Sequence, residues 1–291
     1  MSKVVIAGCG FTGLATARLF EGAGWEVVGV THSAESAALL VGEKFSVLAC
    51  DITDPAALAA RAELRGADAV IHCASSGRGG VEQYRAVYLG GARALGEVLA
   101  PGTLVFTSST SVYAQTDGAW VTEESVAEPD RETGRVLRET EAWVVARNGL
   151  VARLAGIYGP GRSVLLRKFF AGEALIEGDG TKWINQVHRD DIAAALVHLV
   201  TAKARGIFNV NDDEPLVQRA VYEWLARRFD KPLPPAGEID LDRKRGWTNK
   251  RVSNAKLRAT GWQARYPSFF ATLENDAGLL GGEAAQNQLS S

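Results

Sequence analysis

The chain has 291 residues, of which 46% are hydrophobic and 23% charged, with a formal net charge of −2. That is enough apolar material for one large α/β domain, or for a domain with a smaller appendage. The small net charge gives no electrostatic ground for nucleic acid or an anionic membrane as partner, and no apolar run is long enough to cross a bilayer.

Met1-Ser2-Lys3 leads straight into an apolar run at 3–7, so a strand is expected at once and no secretory signal before it. Gly8-Cys9-Gly10-Phe11-Thr12-Gly13 follows, and helical spacing begins at Leu14. A second strand is expected at 26–30 and a third at 45–49. Asp54-Pro55 reads as an N-cap with proline at the first helical position, opening a helix to about Arg65. The run at 69–74 is continuously apolar, as suits a strand covered on both faces. One long helix is expected at 81–99, a strand at 104–106, and then the serine-rich stretch Thr107-Ser108-Ser109-Thr110-Ser111. A helix at 132–147 and a strand at 151–154 complete the regular part. Strand and helix alternating in this way imply a doubly wound parallel sheet.

Beyond Gly156 the regularity breaks. A Gly159-Pro160-Gly161 loop precedes a helix with Leu165, Leu166, Phe169 and Phe170, and a strand is read at 183–187. Asp190-Asp191 reads as the cap of a helix at 192–202, and 207–210 as a strand returning to the main sheet. A helix at 216–229 anchors a smaller lobe over the carboxyl edge, and 278–291 reads as a frayed tail. Three unclustered cysteines, Cys9, Cys50 and Cys73, argue against a disulfide framework or a metal site and for buried thiols in a reducing cytosol.

Each glycine of Gly8-x-Gly10-x-x-Gly13 has a physical reason in a dinucleotide loop. The first allows the tight turn, the second lets backbone approach the pyrophosphate, and the third lets the helix lie close on the strand. With Phe11 and Thr12 they form the helix N-terminus that meets the phosphates. The same logic expects a bulky residue at Gly10 or Gly13 to remove binding while leaving the fold largely intact. At the end of the second strand stand Thr31, His32 and Ser33, with neither the acid that holds a ribose 2′-hydroxyl nor an arginine for a 2′-phosphate. Hydroxyls and His32 can accommodate that phosphate, so NADP is favoured over NAD. Asp51 and Ile52, after the third strand, lie where the adenine edge would be, although Asp51 serves equally as a turn-former before Asp54. Cys73 and Ala74 end the fourth strand on the same side.

The glycine loop, Cys50-Asp51-Ile52-Thr53-Asp54, His72-Cys73-Ala74, Thr107 through Tyr113, Arg153-Leu154-Ala155-Gly156-Ile157-Tyr158-Gly159-Pro160-Gly161-Arg162 and Val187-His188-Arg189-Asp190-Asp191 occur in this order. In them the chain resembles the extended short-chain dehydrogenases/reductases, the NAD-dependent epimerase/dehydratase group, from Lys3 to about Val210. The resemblance implies a Tyr-x-x-x-Lys pair on the helix after the serine strand, with a serine orienting the substrate. The serine maps onto Ser109, but Thr133 stands at the tyrosine position and Leu137 at the lysine position. A threonine hydroxyl is far too weak an acid to replace a phenol, and leucine carries no charge. Tyr88 also stands where the family often has asparagine.

Substitutes for the missing relay are Ser109, Tyr113 and Tyr158, with Tyr88, Arg135 and Arg138 as further candidates. Ser109, Arg162 and His188, next to Arg189, are expected on the substrate side. For Tyr113 and Tyr158 the alternative is packing beneath the cofactor, for His188 a structural histidine, and for Ser109 a turn serine. Lys250 and Arg251, beside Trp247 and Asn249, are either a solvated pair or a basic patch; relatives hold nucleotide-sugar phosphates with an arginine in that lobe. The expected architecture is a doubly wound Rossmann domain at 1–155, a mixed segment at 156–277 forming the small α/β lobe, and the tail. Two functions fit. One is an NAD(P)-dependent oxidoreductase or epimerase acting on a small carbonyl or hydroxyl compound by an atypical relay. The other is a non-catalytic dinucleotide sensor. Relatives often pair through the helix corresponding to 132–147, so a homodimer is expected.

Overall fold

The computed structural model describes residues 1–77, 79–242 and 246–275, so the expected tail at 278–291 lies outside the described residues. Seven strands form the central sheet: β1 (Lys3–Ala7), β2 (Glu26–Thr31), β3 (Ser46–Ala49), β4 (Ala69–His72), β5 (Thr103–Ser109), β6 (Leu150–Leu154) and β7 (Gly206–Val210). All neighbours are parallel, in the spatial order β7-β6-β5-β4-β1-β2-β3. The order reverses between β1 and β4, and ligands of such sheets bind in the crevice outside the carboxyl ends at that point.

Burial on both faces explains the apolar strands. Val4 and Ile6 face a core shared with Ala17 and Phe20 of helix Phe11–Gly22 and with Leu196 and Leu199 of helix Arg189–Thr201. Val5 and Ala7 face the opposite core, with Leu95 of helix Gly91–Leu99 and Val136, Leu137 and Val144 of helix Glu132–Val145. A third core, with Tyr158, Leu166, Phe169, Tyr222, Leu225 and Phe269, belongs to the region after Gly156. No helix among the described residues is long and apolar enough to cross a membrane.

Several expected elements change on folding. The helix expected at 81–99 is helical over Val81–Arg85, widens into a π turn over Ala86–Gly90, and resumes at Gly91. The widened turn lies over buried His72, whose Nε2 is 2.9 Å from the Val87 carbonyl. A Cβ at Gly91 would stand 3.3 Å from that nitrogen and 3.0 Å from Ile52 Cδ1, a tight fit that a side chain there could meet only if its neighbours shifted by a few tenths of an ångström. The strand read at 183–187 is two short strands with different partners, Trp183–Ile184 on Leu216–Val217 and Gln186–His188 on Gly156–Tyr158. The helix expected to start at 192 begins at Arg189. His188, rather than Asp190-Asp191, caps it, its Nδ1 accepting from the Asp190 N–H. A five-residue helix, Ala34–Ala38, capped by Ser33, went unread because it is too short for periodicity to show.

Candidate functional site

The glycine loop is fixed by its neighbours. Gly8, at φ +99°, and Cys9 both donate to the Val30 carbonyl, at 2.9 and 2.8 Å. A Cβ on Gly8 would lie 2.3 Å from the Ala74 nitrogen, and one on Gly13 would lie 2.2 Å from the Gly8 carbonyl oxygen. These two glycines are therefore needed for packing between the loop, β4 and the helix. A Cβ on Gly10 would meet nothing within 4 Å. The space in front of the helix lies there. No side chain caps this helix and no acid stands in its first turn, so its leading N–H groups and positive dipole end remain available to an anion. The residues fit a dinucleotide pyrophosphate. The expectation that Gly13 could be replaced without harm to the fold is corrected by the clash with Gly8.

The adenosine end is more specific than its sequence suggested. The Thr31 hydroxyl is buried and donates to the Ser33 carbonyl (3.1 Å), and the Ser33 hydroxyl caps the short helix that follows. The Thr31 hydroxyl is thus committed to the backbone, and the Ser33 hydroxyl, besides its cap, donates to the Ser36 hydroxyl at 3.2 Å. His32 instead lines a cavity of about 400 Å³ together with Asp51, Cys50 and Arg61. Arg61 was missed, because it lies on the segment after β3 and its spacing from the glycine loop carries no signal. The Asp51 carboxylate accepts from the Thr53 N–H and hydroxyl, each at 2.8 Å, which outweighs its burial and lowers its pKa. The Ile52 side chain is packed in the core, so only its backbone faces this region. Cys73 stands beside the loop as a thiol whose pKa burial pushes up to about 12.

At the carboxyl end of β5 the substitutes expected for the family relay behave differently. Ser109 is partly exposed, and its Oγ accepts from the Ser111 N–H at 3.2 Å, leaving the hydroxyl proton to donate. Tyr113 is fully buried: its O–H donates to Asn209 Oδ1 and its oxygen accepts from Arg153 Nη1, both at 2.8 Å. Burial pushes this phenol's pKa up, with Arg153 pulling against it. Tyr158 is equally buried, bonded to the Thr272 hydroxyl at 3.1 Å, and its pKa is pushed up by desolvation. Neither phenol can reach a ligand, which corrects the expectation that they supply the acid. Thr133 and Leu137 are buried, and Leu137 lies in the core against the sheet. Tyr88 is packed with Tyr84, His72 and Phe106.

The arginines are placed by charge. Arg153, 1% exposed, meets fully buried Glu141 through two hydrogen bonds, at 3.0 and 2.7 Å, and Ser108 donates to the same carboxylate at 2.6 Å. Arg138, expected near the cleft, is tied to Glu141 and to the Ala127 carbonyl. Arg135 pairs with Glu132 on the surface. His188, expected on the substrate side, is buried against the Tyr266 ring at 3.7 Å and against Tyr158. Arg162 and Arg189 instead converge on the ring of Phe11.

In the lobe, Lys250 is not solvated: it is 5% exposed and donates to the Thr248 hydroxyl at 2.7 Å. Burial, and then nearby Lys182, lower its pKa to about 7. Arg251 lies over the rings of Trp120 and Trp183. Asn249, next to Lys250, joins this segment to the loop after β5, its N–H donating to the Gln115 carbonyl at 2.9 Å.

The profile of the NAD dependent epimerase/dehydratase family matches residues 4–211, which is most of the sheet and its cofactor edge. This chain belongs to that family. Protein YeeZ of Escherichia coli (strain K12) is 30% identical over 283 residues, covering 92% of this chain and 97% of YeeZ. A solved structure from Methylobacillus flagellatus, named as an NAD-dependent epimerase/dehydratase, is 31% identical at a TM-score of 0.75, covering 94% of this chain and 96% of that one. DesIV, a dTDP-glucose 4,6-dehydratase of Streptomyces venezuelae solved with NAD and TYD, shares the fold at 20% identity and a TM-score of 0.79, covering 98% of each chain. Thr133 and Leu137, which the sequence reading set at the phenol and lysine positions, are both buried.

Proposed function

We propose that the protein binds NADP(H) and transfers hydride between it and a small carbonyl or hydroxyl compound, without the phenol–lysine relay of its family. The observation that carries this reading is the open, uncapped helix end at Gly10, together with a cavity lined by His32 and Arg61 after β2 and β3 of the same sheet. Arg61, whose Nη2 also donates to the Ala49 carbonyl at 3.1 Å, supplies the cation, and the His32 ring a hydrogen-bonding nitrogen, for a 2′-phosphate that an acidic strand end would repel. When bound, the nicotinamide supplies the hydride donor or acceptor. The chain's own part is to hold the dinucleotide on the Gly8–Gly13 loop and to meet the substrate oxygen with the Ser109 hydroxyl. That hydroxyl is a fixed donor to developing negative charge, and donors of this kind are worth about 10²–10³ in rate. Positioning contributes the rest.

Binding decides the first part. NADPH is expected to bind more tightly than NADH, and Arg61→Ala to weaken NADPH about tenfold or more with little effect on NADH. Equal loss for both cofactors would remove the 2′-phosphate assignment. Turnover decides the second part: once a carbonyl or alcohol substrate is found, Ser109→Ala is expected to lower kcat by about 10²-fold or more. The non-catalytic reading draws on one observation, the commitment of both Tyr113 and Tyr158 to buried partners. Tight NADPH binding with no hydride transfer across a broad screen would make the sensor the better description.

A further inference from the structure

Arg162 and Arg189 reach Phe11 from two different segments, the loop after Tyr158 and the first turn of helix Arg189–Thr201. Their guanidinium carbons lie 4.9 and 5.2 Å from the centroid of the same ring. Phe11 is the first residue of the helix whose N-terminus is open at Gly10. The approach is built: Gly159 and Arg162 exchange two backbone hydrogen bonds, each 2.9 Å. A Cβ on Gly159 would stand 3.0 Å from Arg189 Cβ and 3.3 Å from Phe11 Cζ.

The charges around this ring do not balance. Among the described residues the Arg162 guanidinium makes no hydrogen bond or ion pair, and Arg189 uses only Nε, on Asp190 at 2.7 Å. Two cations, Arg162 exposed and Arg189 half-buried, thus stand around one aromatic ring, and the one carboxylate bonded to either is Asp190 on Arg189. Cation–π contact is worth about 0.5–1 kcal/mol at an exposed site and does not compensate a second like charge. Both sit at the positive end of a helix dipole, which raises the potential further. An anion of more than one charge in front of Gly10 would relieve all three.

We propose that Arg162 and Arg189 form a clamp on the dinucleotide diphosphate, closing over it from the side of the chain beyond Tyr158. The inference rests on the cofactor reading above and moves Arg162 from the substrate to the cofactor. The Gly159–Arg162 turn then carries a guanidinium to the phosphates that the glycine loop meets with backbone N–H groups. Arginine suits this position because its planar fork can hold a phosphate through two hydrogen bonds while stacking on Phe11.

The test compares two fragments of the cofactor on the intact chain. ADP-ribose carries the diphosphate without nicotinamide, whereas adenosine 2′-monophosphate has the adenosine end without the diphosphate. Calorimetry is expected to show ADP-ribose affinity falling about 10- to 100-fold in Arg162→Gln, and further in Arg162→Gln with Arg189→Gln. Adenosine 2′-monophosphate should bind the variants as it binds the wild type, which also shows that they are folded. Arg162→Lys should recover only part of the loss, since an ammonium keeps the charge but not the fork. Wild-type binding of ADP-ribose that is unchanged in the double variant overturns the clamp while leaving the cofactor reading intact. Failure of the wild type to bind either fragment or NADPH overturns both.

Discussion

Replacing Lys250 by methionine should make the protein more stable at neutral pH, and the gain should vanish in alkali. The amine is 5% exposed and, among the described residues, has only the Thr248 hydroxyl as hydrogen-bond partner, so burial lowers its pKa from 10.5 to about 7. Between those values the unfolded chain holds a proton that the folded chain does not. Stability therefore falls as pH drops through the window from 10.5 to about 7, and is level below it. At about 1.36 kcal/mol per pH unit the full difference is about 5 kcal/mol, and about 4 of it is felt at pH 7. Methionine keeps the apolar stem and loses one hydrogen bond worth about 1 kcal/mol, leaving an expected gain of about 2–3 kcal/mol. Urea unfolding of the wild type and of Lys250→Met at pH 7 and at pH 10 measures it. The difference between them should shrink by more than half at the higher pH. A variant that is no more stable at pH 7, or one whose advantage is the same at both, refutes the reasoning.

Glu141→Gln should cost about 3–5 kcal/mol in urea unfolding, because it leaves buried Arg153 without its counter-charge; a loss under 1 kcal/mol would mean that water reaches the pair. Gly10→Val should abolish calorimetric binding of NADPH with an unchanged melting temperature, whereas Gly13→Ala should lower the melting temperature as well, since its Cβ meets the Gly8 carbonyl at 2.2 Å. His72 is fully buried, and desolvation lowers its pKa from 6.5 to about 4. Its folded pKa lies below the unfolded one, so stability should be lost as pH falls from about 6.5 to about 4, by about 3 kcal/mol. His72→Gln should flatten that part of the acid profile; an identical slope would exclude His72 as its source.

The parallel sheet was legible because strands buried on both faces cannot hide their apolar runs, and because the glycine loop must stand at the first strand–helix turn. The long-range pairings were not. Nothing local at Tyr113 announces that its hydroxyl will meet Asn209, 96 positions away, so a loop tyrosine read as a catalytic candidate is a core residue. His188 read as a cleft residue because a histidine before two aspartates looks functional, while its burial against Tyr266 depends on a segment 78 positions later. Arg61 went unnoticed for the reverse reason: an exposed arginine between two short helical turns is ordinary until folding brings it to the cavity of His32 and Asp51. The absence of Tyr-x-x-x-Lys was visible in the sequence; that Leu137 fills core space there was not.

The buried network from Glu141 through Arg153 and Tyr113 to Asn209 also bears on how the chain is made. Its first three members have left the ribosome when residue 154 has, but Asn209 comes on β7, after an excursion of about fifty residues that forms part of the lobe. Until that strand arrives, the nascent sheet holds an ion pair in a half-built wall and a phenol without its acceptor. Docking of β7 also supplies the outer neighbour of β6 along its whole length. The sheet and the first part of the lobe should therefore gain stability in one step rather than in sequence, as expected where far-apart segments must meet before their contacts reward the chain. A chain ending near residue 205 would present β6 as an open edge over a partly wet charge pair, and that fragment is the form of this protein most exposed to aggregation and proteolysis.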